Sequence, residues 1–263
     1  MRALILNLAG QTERMAVQKA QMAALGLDWE RLPAVTPETL SRKPDDSYWA
    51  SWQRPMRDTE KAVLESHQNA WEKVIASDAP CLILEDDALL SASTPRLLRA
   101  VQPVDGIDHL TLETRGRKKL LGDQLGDLPV RRLYQDRTGA AAYVLWPNGA
   151  RILLRNTARA AALADAAICG SHNLRSFQAV PALAIQIDHC AHYGITPPIQ
   201  VKSTIDVQRK PFARDGFRLG QRFAFRARRI WAQIRMGLRQ LRYRHKAGFS
   251  QVEPASDWPE LKL

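Results

Sequence analysis

Three consecutive acids, Glu85, Asp86 and Asp87, close the apolar run Cys81 to Leu84 in the segment CLILEDDALL. An acid is rarely buried unless it is paired or bound to a cation. The triplet is therefore either a solvated strand end, with Asp86 or Asp87 capping the next turn, or a place where positive charge belongs. A strand puts residues two apart on one face, so extended backbone here aims Glu85 and Asp87 together, roughly 7 Å apart, and Asp86 away. A hard cation such as Mg²⁺ or Mn²⁺ takes oxygen ligands and often uses only one or two carboxylates, completing its shell with phosphate oxygens and water. The acids thus suit a divalent metal shared with a phosphorylated substrate better than an all-protein cage.

Other side chains with chemistry to offer are scattered. His67 and Trp71 lie four apart on one helix face, where core packing and substrate contact explain them equally well. Tyr143 has a ring that stacks on a sugar or base, or packs in the core of an apolar strand. Gly139 permits close backbone approach, and Glu113 follows the short apolar segment HLTL. HCAH, 189 to 192, lacks third and fourth zinc ligands at a recognised spacing. No GxGxxG, GxxxxGK[ST] or GxSxG is present, which leaves dinucleotide, P-loop and serine-hydrolase readings without a motif.

The elements that must position these residues read as alternating strand and helix. ALILNL is a short buried strand and TERMAVQKAQMAALG a helix, with Thr12 as a candidate N-cap and Gly26 as the stop. Residues 36 to 58 are an irregular excursion, and TEKAVLESHQNAWEKVIAS is a second helix. CLIL, HLTLE, VRRLY and AAAYVLW are strands, while 91 to 103 and PNGARILLRNTARAAALA are helical. AVPALAIQI, 179 to 187, is one buried segment interrupted by Pro181. The pattern predicts an α/β layer architecture, with ligands at the carboxyl ends of the strands.

At 263 residues, with 45% hydrophobic and 25% charged residues, the chain has the composition of one large soluble domain with an appendage. No opening segment has signal-peptide character, and no stretch reaches about 18 uninterrupted apolar residues. Three cysteines without CxxC spacing suit a reducing compartment. The net charge of +11 is concentrated: residues 202 to 246 carry 14 Lys and Arg against two acids, leaving 24 against 25 elsewhere. A near-neutral body therefore carries a basic tail, which describes a partner surface more than a fold.

The ordered segments resemble glycosyltransferase family 25, the lipooligosaccharide galactosyltransferase-like family. ILNLAGQTERM is similar to its opening block, LESHQNAWEKV to its SHxxAW helix, CLILEDDALL to its acidic block, and TGAAAYVLWPNGARILL to its GTxAYxxxxxxAxxLL block. LADAAI, 163 to 168, sits where that family carries a segment around an aspartate, and VPALAIQ resembles the segment closing its core. The likeness runs from about residue 3 to 205. In the opening block Asn7 and Arg14 match, whereas Ala9 and Gly10 stand where the family has an aspartate and an arginine.

The resemblance implies a GT-A-like nucleotide-sugar-binding domain over 1–205 with a basic helical extension over 206–263. It implies an inverting transfer of a sugar, galactose from UDP-galactose, to a hydroxyl of a lipid-linked surface glycan. Glu85 and Asp87 then stand in the place of a DxD metal pair for Mn²⁺ or Mg²⁺, with Glu85 alternatively on the nucleotide ribose and Asp86 orienting the loop. Asn7, Arg14, Gly139 and Tyr143 join Glu85 and Asp86 around the donor. Asp165 is the first choice for general base, Glu113 the second and His67 the third. A non-catalytic glycan-binding module is the alternative; nucleic acid is not expected, since no RRM, KH or zinc-finger signature appears. Residues 217 to 246 predict a basic amphipathic helix with the apolar stripe Leu219, Phe223, Ile230, Ile234, Leu238 and Leu241. Such a helix suits peripheral contact with the anionic inner face of a cytoplasmic membrane, or else packs its stripe on the body.

Overall fold

The computed structural model describes residues 1–200 and 219–261. Its amino-terminal half alternates as the apolar runs require. β1 (Ala3–Asn7) is followed by α1 (Thr12–Leu25), which stops where Gly26 adopts a left-handed conformation at φ 60°. β2 (Trp29–Pro33) returns parallel to β1. The excursion 36 to 58 contains two short 3₁₀ turns, Pro37–Thr39 and Ser47–Ser51, before α2 (Asp58–Ser77). β3 (Cys81–Glu85) then pairs parallel to β1 on its other side.

The chain continues through β4 (Ala88–Leu90), α3 (Thr94–Val101), β5 (His109–Thr111), β6 (Lys119–Gln124), β7 (Val130–Gln135) and β8 (Ala142–Leu145). Helices α4 (Pro147–Arg159) and α5 (Ala164–Gly170), strands β9 (Ser176–Ala179) and β10 (Ala184–Gln186), helix α6 (Leu219–Tyr243) and strand β11 (Gly248–Ser250) complete it. Among the described residues, nine strands form one mixed sheet in the order β11-β6-β7-β9-β5-β8-β3-β1-β2, and β4 pairs with β10.

Alternation along the central strands buries both faces. Ala3, Ile5, Leu82 and Leu84 join Met15 and Met22 of α1 and Leu97 and Leu98 of α3 in one core. Leu4, Leu6, Cys81 and Ile83 join Leu64 and Trp71 of α2 and Leu153 of α4 in the other. The result is an α/β layer fold with its helices on both sides of the sheet.

Three segments depart from the sequence pattern. AVPALAIQI is not one strand: β9 belongs to the large sheet and β10 to the small one, with a cis Val180–Pro181 bond between them. WERLP and KLLGDQ are strands although charged and polar residues interrupt their apolar ones. β6 buries even Lys119, at 1% exposure, because a carboxylate meets its ammonium inside the fold.

The expected boundary between 205 and 206 lies outside the described residues, as do positions 217 and 218 of the expected basic helix. α6 itself is present. After it, β11 pairs antiparallel with β6 in the large sheet. Val252 is buried, and Asp257 accepts hydrogen bonds from Ser91 and Ser93, both at 2.6 Å. No helix among the described residues is long and apolar enough to cross a membrane.

Candidate active site

The parallel pairing of β1 and β3 sets Leu6 opposite Glu85, so the carboxyl ends of two adjacent strands finish together. Here the backbone leaves the extended form: Asp86 and Asp87 form a turn before β4. The expectation that Asp86 points away from a Glu85–Asp87 pair fails for that reason, since two-residue alternation ends at Glu85. Asp86 is instead 7% exposed and accepts hydrogen bonds from Asn7 Nδ2 at 2.8 Å and Arg14 at 3.1 Å. The same Arg14 nitrogen lies 4.0 Å from Asp87, so one guanidinium faces two carboxylates. Asn7 is held in turn by Arg31, whose Nε donates to its Oδ1 at 2.8 Å.

Two residues that sequence reading passed over brace this turn. Gln18 donates to the carbonyls of Asp86 (3.1 Å) and Ala88 (2.8 Å), and Gln21 Oε1 accepts the Leu90 N–H at 2.7 Å. Both glutamines are fully buried. Their one sequence signal is an amide pair three apart on the inward face of α1, which reads as ordinary polarity until its partners are known.

Glu85 turns the other way, towards α2. The indole N–H of Trp71 donates to Tyr143 Oη at 2.8 Å, and indole nitrogen is a donor only. The Tyr143 hydroxyl proton is thereby directed to His67 Nδ1, 2.9 Å away. His67 consequently carries its proton on Nε2 and donates it to Glu85 Oε1 at 3.2 Å. His67 and Tyr143 are both at 0% exposure. Both imidazole nitrogens are engaged, so the group orients Glu85, and the Tyr143 ring has no face open to a ligand.

Glu85 is also the electrostatic centre of the acids. Burial raises the Asp86 carboxyl above its usual range, and Glu85 adds to that rise. Asp87 is pushed up to about 7, first by burial and then by the Glu85 charge, against the pull of Arg14. Asp165, half-buried in the first turn of α5, is raised by burial, with Glu85 contributing again and with Arg115 and His67 opposing. Glu113, 2% exposed, is pushed up to about 8 by burial, with Glu85 and Asp136 adding to the rise and Lys119 and Arg115 opposing it.

The Glu85 charge thus acts on Asp87, Asp165 and Glu113 alike. Glu113 is enclosed, and among the described residues its Oε2 has no hydrogen-bond partner. Beside it Gly139 takes φ +136°, and a Cβ there would lie 3.4 Å from Glu113 Oε1, so the glycine allows the chain to pass close to the carboxyl. Lys119 supplies the local counter-charge, 2.7 Å from Asp136 and donating to the Glu113 carbonyl at 3.0 Å.

The donor set fits a hard cation that brings other ligands with it. Glu85 and Asp87 are oxygen donors with side chains 28% and 17% exposed, and Asp87, raised by burial and then by the Glu85 charge, gains from a cation placed between them. Among the described residues no group of three His, Cys, Asp or Glu is placed to hold a metal by itself. Two carboxylates completed by phosphate and water match the habit of Mg²⁺.

The family model described as glycosyltransferase family 25 (LPS biosynthesis protein) matches residues 1–168. No curated protein matches the chain. Among solved structures it is similar to a Drosophila beta-1,4-galactosyltransferase 7 point mutant in complex with manganese, UDP-Gal and xylobiose. That likeness has 9% identity and a TM-score of 0.39, and covers 80% of this chain and 79% of that one.

Proposed function

The chain belongs to glycosyltransferase family 25, and we propose that it transfers galactose from UDP-galactose, with inversion, to a hydroxyl of a lipopolysaccharide, lipooligosaccharide or related surface glycan. The observation that carries the reading is the carboxylate turn Glu85–Asp87, at the ends of two adjacent parallel strands and faced by Arg14. On this reading the body works as a GT-A-like domain.

Glu85 and Asp87 would hold Mn²⁺ or Mg²⁺, which when bound offsets the negative charge that grows on the leaving diphosphate. Asn7, Gln18 and Gln21 keep the turn in shape, and His67 aims Glu85. Arg14, beside Asp86 and Asp87, would meet a phosphate oxygen, where a cation stabilises the developing charge more than the ground state. Asp165 takes the proton of the acceptor hydroxyl on its carboxylate. Of the three candidate bases it combines a raised pKa with partial exposure, whereas Glu113 is enclosed and His67 has both nitrogens engaged.

The outward face of α6 supports work at a membrane surface. Leu219, Phe223, Ile230, Ile234, Leu238 and Leu241 are 46% to 81% exposed, so the stripe does not pack on the body. At about 100° per residue, Arg228 and Arg239 fall on the opposite side, and both donate to body carbonyls. A helix that turns arginines to protein and leucines outward leaves an apolar face to be covered, and interfacial lipid covers such faces.

The test is incubation of the purified protein and Mn²⁺ with a panel of nucleotide sugars and truncated lipooligosaccharides, read by mass spectrometry. A hexose added from UDP-galactose is the expected product. Asp87→Ala, or EDTA, should each lose most turnover, with Mn²⁺ restoring the EDTA-treated enzyme. Neither transfer nor hydrolysis of any donor would overturn the reading, and full turnover in EDTA would remove the metal from it.

A further inference from the structure

α6 is fastened to the body at separated points. Arg228 donates to the carbonyls of Ala50 (2.8 Å) and Trp52 (3.2 Å), and Arg239 to those of Tyr134 and His172. Near its end Tyr243 stacks on Tyr134 with ring centroids 4.1 Å apart. Between these points the helix stands off and leaves a cleft of about 1140 Å³, whose opposite wall is built from the end of α4, the back of α5 and residues 170 to 173.

The cleft is strongly cationic. Arg137, Arg159, Arg229, Arg235 and Arg242 line it, and none has an acid within ion-pair distance among the described residues. The one carboxylate on its wall, Asp136, is already paired with Lys119. The crowding registers on its neighbours. His172 is held down to about 4 by burial and then by Arg239 and Arg235, and Arg239 is itself lowered by burial, with Arg242 and Arg235 adding to the effect. Five guanidiniums without counter-charge repel one another, and each presents a planar fork suited to phosphate or carboxylate oxygens.

We infer that this cleft binds an anionic saccharide, the phosphate- or carboxylate-bearing part of the acceptor whose terminal hydroxyl is glycosylated at the carboxylate site. The inference rests on the glycosyltransferase reading and adds the acceptor's charge to it. Two features select a saccharide. The volume exceeds the roughly 300–1,000 Å³ usual for a single small ligand, which suits several sugar units. The cleft also lies between α6 and the body, with Arg235 and Arg242 on the helix facing Arg159 and Asn156 of α4 and only Leu238 of the outward stripe at its rim, so its cations line a walled groove and not a flat surface. Its position suits the reaction: α5, whose back forms one wall, carries Asp165 in its first turn. Asp136 and Cys169 continue the wall into a cavity bordered by Thr111 and Gly139, next to Glu113.

The experiment measures binding of three fluorescent oligosaccharides of equal length, one phosphorylated, one carrying uronates and one neutral, to the full chain and to an Arg159→Gln/Arg235→Gln variant. Neither arginine makes a hydrogen bond or ion pair among the described residues, so melting temperature should be unchanged. At least one anionic probe should bind about tenfold tighter than the neutral one, and the variant should lose about tenfold, the scale of removing charge-assisted hydrogen bonds. UDP-galactose binding, measured in parallel, should not change. Equal binding of all three probes, an unaffected variant, or arginine-dependent binding to anionic vesicles without binding of any free saccharide would each overturn the inference. Arginine-dependent binding of an anionic saccharide by a protein that neither transfers nor hydrolyses any sugar nucleotide would uphold the cleft and defeat the proposed reaction instead.

Discussion

Asp165 and Glu113 show how one functional group acquires different capacities from its surroundings. Both carboxyls are raised by burial, but Asp165 keeps part of its surface exposed in a helix's first turn, while Glu113 is enclosed with an oxygen that has no partner among the described residues. A base must reach the acceptor hydroxyl, so Asp165→Asn should lower kcat by about 10²-fold or more while donor affinity holds. Steady-state kinetics check this, and a near-parent kcat would move the role to Glu113. Glu113 carries a separate pH signature. The unfolded chain ionises it near 4.5 and the folded chain near 8. Between those values the unfolded state binds fewer protons, so stability falls as pH rises and the loss is complete above about 8. Glu113→Gln, which keeps the shape of the neutral acid, should flatten this dependence. Urea midpoints from pH 5 to 8 that fall equally in parent and variant would contradict it.

At the scale of elements, α1 acts as the clamp on the acidic turn. β4 is three residues long and, among the described residues, pairs only with β10, so its register near the turn depends on the buried amides of Gln18 and Gln21. Gln21→Ala leaves the Leu90 N–H without its acceptor in a dry site, a cost of about 1–3 kcal/mol. For a chain of this size that corresponds to a melting temperature lower by roughly 2–4 °C per kcal/mol. Lys19→Ala, on the exposed side of the same helix, should shift it by far less. Calorimetry showing equal effects would mean that the amide network carries no weight.

For the molecule as a whole, α6 divides its two faces between two partners, the arginine side towards the body and the apolar side outward. Arg222 and Arg226, both exposed, flank the outward stripe at about 100° per residue, so full-length protein should float better with anionic liposomes than with neutral ones, and less as salt rises. Ile230→Gln with Leu241→Gln should abolish flotation without lowering the melting temperature, because both side chains are already exposed. Should the parent instead sediment as a dimer that this variant dissolves, a second copy covers the stripe and the membrane reading falls.

What the sequence determined by itself was local: the apolar runs of β1, β3 and β8, the periodicity of α1, α2, α4 and α6, and an acidic triplet where a buried strand stops. These follow from spacings of 2 and 3.6 residues, which any short window contains. The tertiary structure decided which way each acid looks. Asp86 meets Arg14 from 72 positions away and Glu85 meets His67 across 18, and those partners are chosen by helices packing on opposite faces of the sheet. Strands β2 and β6 were hidden for the same reason, because their polar side chains find partners only once distant segments close over them. The direction of α6 was not legible either. A stripe and its opposite arginines look the same whichever side faces inward, and only the carbonyls of Ala50, Trp52, Tyr134 and His172, which need guanidinium donors, turn the arginines to the body.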